Sequence, residues 1–107
     1  MLKQFNVYRN CSTQTNKTLP YYMIVQNDYY TDLTTRVIIP LMRTRQLPRW
    51  HQHVVPKVNI EFETLLLCTP MVTNLNNKRI QQQDFVCNLS HVRQEVIDSI
   101  DTLITNH

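Results

Sequence analysis

Residues 21–41 read YYMIVQNDYYTDLTTRVIIPL. Tyr21 to Gln26 is a run of β-favouring residues that ends in the turn formers Asn27 and Asp28. Thr35 to Ile39 is rich in β-branched residues and is expected to stop at Pro40, which has no N–H to give to a ladder. A short polar connection carrying Tyr29 and Tyr30 joins the two. Two such runs separated by turn residues predict a pair of antiparallel strands.

Working outward, Gln4 to Tyr8 (QFNVY) alternates, with Phe5 and Val7 on one face, and reads as a short strand. Residues 9–20 are rich in Asn, Ser, Thr and Gln and end in Pro20, the composition of a long hairpin loop or a mobile one. Past the central pair, Met42 to His53 is polar and interrupted by Pro48, which predicts a loop. Val54 to Ile60 reads as an edge strand, bulged at Pro56. Glu61-Phe62-Glu63 forms a turn, and Thr64 to Cys68 (TLLLC) a buried strand. Thr73 to Gln83 is polar, with a brief strand expected around Arg79–Ile80. The last element is a helix from His91 to about Leu103, with Ser90 as its N-cap. Leu89, Val92, Val96, Ile100 and Leu103 recur every three or four residues and form its packing stripe. Ile97 and Ile104 widen that stripe, and its terminal position favours a partner-facing edge. Short strands followed by one helix predict a mainly β chain: an antiparallel barrel or sandwich with an appended C-terminal α-helix.

The chain has 107 residues, 42% hydrophobic and 18% charged, with a net charge of +3 and a pI near 8.9. That length suits one domain over residues 1–107. The charge is well below that of a dedicated nucleic-acid binder. No apolar run reaches membrane-spanning length, and the N-terminus lacks a signal-peptide core, so no membrane association is expected. Three cysteines without paired spacing predict free thiols in a reducing compartment, the cytoplasm by default. Neither glycine nor alanine occurs. Turns that need φ > 0 are therefore expected at Asn27-Asp28, Asn74, Asn76-Asn77 and Asn88.

Little in the chain points to catalysis. His51 and His53 lack a matching ligand pair, so no metal and no cofactor are expected. Without glycine there is neither a nucleophile elbow nor a phosphate loop. The aspartates include no pair set for acid–base work, and Asp98–Asp101 sits where the helix dipole disfavours negative charge. Arg36, Arg43, Arg45, Arg49 and Trp50 form a basic segment suited to nucleic-acid phosphates or to a partner's acidic segment.

Taken together, QFNVY, VQNDYYTDLTTRVIIPL and NLSHVRQEVIDSIDTLIT resemble, in order and approximate spacing, the CcdB toxins of toxin–antitoxin modules. The resemblance implies an SH3-like barrel, shared with MazF-type ribonucleases, in a homodimer. It implies a non-enzymatic toxin that binds the gyrase A protein of DNA gyrase and traps the gyrase–DNA cleavage complex. It further implies neutralisation by a CcdA-like antitoxin, with operator DNA bound only through the toxin–antitoxin complex. By position, the gyrase contacts fall on Tyr29 and Tyr30, where the family usually has aliphatics, and on Ile100, Asp101, Ile104, Thr105, Asn106 and His107. The antitoxin-facing candidates are Tyr8, Arg43, Arg45 and Trp50. The family pattern commonly ends in Gly and an apolar residue, whereas this chain ends Thr-Asn-His. An apolar anchor is thereby lost from the contact, by about 2–4 kcal/mol. Two alternatives follow: an antitoxin-binding dimer with weak or no gyrase poisoning, and a MazF-like endoribonuclease.

Overall fold

The structure is a computed structural model that describes residues 2–30, 32–44 and 55–105. Seven antiparallel strands form one curled, half-barrel sheet: β1 (Asn6–Arg9), β2 (Tyr21–Ile24), β3 (Thr35–Arg43), β4 (Lys57–Ile60), β5 (Glu63–Leu67), β6 (Thr73–Asn76) and β7 (Phe85–Asn88). The order across the sheet is β4-β5-β3-β2-β1-β7, with β6 also paired to β3. One helix, α1 (Arg93–Thr105), ends the described chain.

β3 is the organising strand, and it does not stop at Pro40. Ile38 to Leu41 pair with β2 on one edge, while the other edge pairs first with β6 and then with β5. Between β5 and β6 the partner chain leaves the ladder in a 3-10 turn, Thr69–Met71. The Pro40 carbonyl faces that interruption, accepting from Cys68 N at 2.9 Å. A strand residue's N–H and C=O point to the same edge, so the donor that proline lacks falls where no acceptor waits.

Both faces of the sheet are buried, which explains the near-continuous apolar runs. Val7, Met23, Ile39, Leu41, Leu65 and Leu67 face the side that α1 covers with Val96. Their neighbours Tyr8, Tyr22, Ile24 and Ile38 face the other side, under Ile80. The helix stripe is buried at Leu89 and Val96, half-buried at Val92 and Ile100, and exposed by Leu103. Ser90 does not cap the helix. Ser90–Val92 is a 3-10 turn, and Asn88 Oδ1 accepts from Ser90 N at 2.9 Å.

The asparagines do mark turns, by a different device from the one expected. Asn10, Asn27, Asn76 and Asn88 each accept, through Oδ1, the backbone N–H two residues on. This is the Asx-turn contact, and it requires no left-handed backbone. Positive φ occurs instead at Phe5 (71°), Glu61 (50°) and Phe62 (67°). Glu61 and Phe62 form the two-residue loop between the paired Ile60 and Glu63. A loop of that length matches the twist of its strands when both residues are left-handed, so geometry overrides residue preference there. Asn74 lies in β6.

β6 and β7 occupy sequence not expected to be extended. The brief strand expected at Arg79–Ile80 is instead a 3-10 turn, Asn77–Arg79, followed by buried Ile80. The connection over residues 10–20 is ordered around one side chain: Asn10 Nδ2 donates to Thr15 Oγ1 and to Leu19 O. Val54 and most of the loop expected at Met42–His53 lie outside the described residues, while Met42 and Arg43 extend β3.

Candidate functional site

The Tyr29–Tyr30 pair sits on a 3-10 turn, Asp28–Tyr30, that buries no residue. Tyr29 is 85% exposed and Tyr30 52%, and their rings meet edge to face at 5.2 Å. With no core contact of its own, the turn takes its shape from hydrogen bonds. Asn27 Oδ1 accepts from Tyr29 N at 2.8 Å, and Asn27 O accepts from Tyr30 N at 3.1 Å. Gln26 bridges the turn to β3: its Nε2 donates to Tyr30 O and its Oε1 accepts from Val37 N. Gln4 N donates to Asp28 Oδ1 at 2.7 Å, tying the turn to the start of the chain.

The helix candidates divide. Ile100 is half-buried and packs against the main core, whereas Asp101, Ile104 and Thr105 are exposed. Leu103 and Ile104, at 44% and 74% exposure, leave the end of the helix with apolar surface in water. Ser99 Oγ and Thr69 Oγ1, 2.8 Å apart, fix the middle of the helix to the turn after β5. Asp98 receives Gln94 Nε2 at 2.8 Å and stays on the solvent side. Asn106 and His107 lie outside the described residues.

The two patches lie toward opposite ends of α1. Gln4 Oε1 accepts from Arg93 Nη1 at 3.4 Å, which links the tyrosine turn to the start of α1. Ile104 stands eleven residues farther on, roughly 16 Å along the axis at 1.5 Å per residue. Among the described residues no hydrogen bond connects residues 28–30 with residues 100–105.

Of the antitoxin-facing candidates, Arg45 and Trp50 lie outside the described residues, as do His51 and His53. Arg43 is engaged within the fold: its Nε donates to Glu63 Oε2 at 3.0 Å and its Nη1 to Lys17 O. Tyr8 is fully buried, stacked on Tyr22 at 5.9 Å and meeting Phe85 edge-on at 5.8 Å. The tyrosine that reaches a surface is its neighbour Tyr22, which lines a cleft of about 400 Å3 with Arg9, Cys11, Arg79 and Asp84. Burial pushes the Tyr22 phenol well above its ordinary range, and the Asp84 charge adds to the effect. Sequence reading missed this cleft because Arg79 and Asp84 belong to a segment with no regular pattern. The three thiols are free; Cys68 is buried and raised by that burial. Among the described residues no group of three metal-ligating side chains gathers, and no helix is long and apolar enough to cross a membrane.

No curated protein matches the chain. A family model described as CcdB protein matches residues 4–106, nearly the whole chain, including the tyrosine turn and the helix. That coverage joins the seven-stranded curled sheet and its helix to a known group: the chain belongs to the CcdB protein family, whose members are toxins of toxin–antitoxin modules.

Proposed function

We propose that this toxin, one domain over residues 1–107, acts without catalysis by binding the gyrase A protein of DNA gyrase and trapping the gyrase–DNA cleavage complex. The observation that carries the reading is the pairing of a hydrogen-bonded turn offering Tyr29 and Tyr30 with a helix end offering Leu103 and Ile104. Exposed aromatic and aliphatic side chains on a fixed backbone are what an interface uses as anchors. Asp101 and Thr105 flank Ile104 as polar rim, with Asn106 and His107 following in sequence. Family membership supports the homodimer, in which the helix end of one protomer and the tyrosine turns would contribute to a single surface. A CcdA-like antitoxin neutralises the toxin, and the two proteins together repress their operon, so operator DNA is bound through the complex. The antitoxin is read as docking on the arginine-lined cleft over Tyr22, which Tyr8 backs from within; Arg43, Arg45 and Trp50 stay candidates for that contact from their sequence positions. The cytoplasm is the compartment where both partners meet it.

Calorimetric titration against the dimerisation region of gyrase A tests the reading, together with supercoiling and cleavage assays. Micromolar or tighter binding with accumulation of cleaved DNA is expected; no binding at high micromolar concentration would sink it. One observation favours a second reading, an antitoxin-binding dimer with weak poisoning: residues 100–105 carry no aromatic side chain. Antitoxin binding without growth inhibition would select that reading.

A further inference from the structure

We propose that Arg36 and Asn77 form a positioning pair that holds the Tyr29–Tyr30 turn in its partner-facing shape. The inference rests on reading those tyrosines as a contact surface. Arg36 is 6% exposed on β3, and its guanidinium is turned onto the loop. Its Nη1 donates to Leu33 O at 2.7 Å, to Thr35 O at 3.0 Å and to Asn77 Oδ1 at 3.3 Å. Asn77 then closes the ring from a segment 44 residues away: its Nδ2 donates to Leu33 O at 2.8 Å, and its N to Thr34 O at 2.9 Å. The Leu33 carbonyl thus receives a charged donor and an amide donor together. Leu33 N in turn donates to Tyr30 O at 3.3 Å, the same carbonyl that Gln26 holds.

The chain of contacts runs from the turn after β6, through Asn77 and Arg36, to Leu33 and Tyr30. The turn buries nothing, so apolar packing cannot fix its direction. All three contacts leave one nitrogen, Nη1, of a buried guanidinium, and hydrogen bonds from a charged donor are roughly twice as strong as neutral ones. Holding a loop in its bound shape removes the ordering cost from association. The pair touches no partner itself and acts only through the turn.

The test uses the full chain and the variants Asn77→Ala, Asn77→Asp and Arg36→Lys. Amide hydrogen exchange is followed by NMR at Tyr30 and Leu33, with Met23 and Ile39 as core references. Asn77→Ala is expected to accelerate exchange at Tyr30 and Leu33 about tenfold or more while the core amides keep their rates. Asn77→Asp keeps the acceptor for Arg36 and loses the donor to Leu33, so its acceleration is intermediate; it carries the test if Asn77→Ala loses its folded spectrum. Arg36→Lys, whose ammonium stops short of the Nη1 position, behaves like Asn77→Ala. Affinity for the gyrase A fragment is expected to fall about tenfold in Asn77→Ala. Unchanged exchange at the turn overturns the pairing whatever the affinity does, and faster exchange with unchanged affinity overturns its positioning role. If the unaltered protein fails to bind gyrase, the functional reading falls, and the exchange rates still decide whether the pair holds the turn.

Discussion

Two turns of this protein put aromatic rings into water, and they are built in opposite ways. The Asp28–Tyr30 turn is tied by the Gln4 backbone N–H and by the side chains of Gln26 and Asn27, and the segment that follows it by Arg36 and Asn77. The β4–β5 tip instead places Glu61 and Phe62 in left-handed backbone, with the Phe62 ring fully exposed. Glu61 is held by its ion pair with Arg9 and accepts from the Tyr21 hydroxyl at 3.5 Å. Left-handed backbone at such residues costs of order 1 kcal/mol or more each. The first turn is held in one shape by partners from several elements. The second is the form that a two-residue hairpin takes in a chain without glycine.

That contrast can be broken most forcefully at Arg36. Arg36→Ala should destabilise the protein by about 3 kcal/mol in urea unfolding, because several acceptors lose a buried charged donor at once. Removing the ring that the network presents should do the reverse. Tyr29→Ala should leave stability within about 0.5 kcal/mol, since the ring is exposed, yet weaken gyrase binding by about 2 kcal/mol in calorimetry. At the other turn, Phe62→Gly should stabilise the fold by about 1 kcal/mol, read as a higher melting temperature, and leave gyrase affinity unchanged. A stability loss there would mean that the Phe62 ring has a packing role.

The smallest effect, absent at neutral pH, belongs to two buried groups, Tyr22 beneath Ile80 and Cys68 among Met42, Val55 and Leu66. Tyr22 and Cys68 have folded-state pKa values raised above their ordinary 10.0 and 9.0 by burial. A raised value means that their neutral forms stabilise the fold fully below about pH 9, and that this contribution is lost as pH rises beyond it. Melting temperature should fall in alkaline buffer, and Tyr22→Phe should flatten that fall.

Much of the architecture was legible because its signals are local. The β-branched run at residues 35–39 predicts a strand, the spacing of Val92, Val96 and Ile100 a helix, and TLLLC a buried strand; all three are present. The polar stretch Thr73–Asn76 was not legible as a strand. It pairs with Thr35–Ile38, a partner tens of residues away that no local pattern in residues 73–76 announces. Phe85–Asn88 likewise becomes extended by pairing with β1, around a bulge at Val86. For the proposed site, the order of motifs pointed to the tyrosine turn and the helix end, and both carry exposed apolar or aromatic side chains. It could not reveal that Tyr8 is buried while Tyr22 lines a cleft, because alternating residues of a sheet covered on both faces look alike in sequence.

Periodicity and turn chemistry, which act over a few residues, let the sequence by itself determine a mainly β chain with a C-terminal helix, and the order of three motifs carried the resemblance to a family. Long-range pairing and burial, which join residues tens of positions apart, decided the rest. They carried β3 through its proline, placed positive φ on Phe5, Glu61 and Phe62, and brought Asn77 to Arg36 beneath the tyrosine turn.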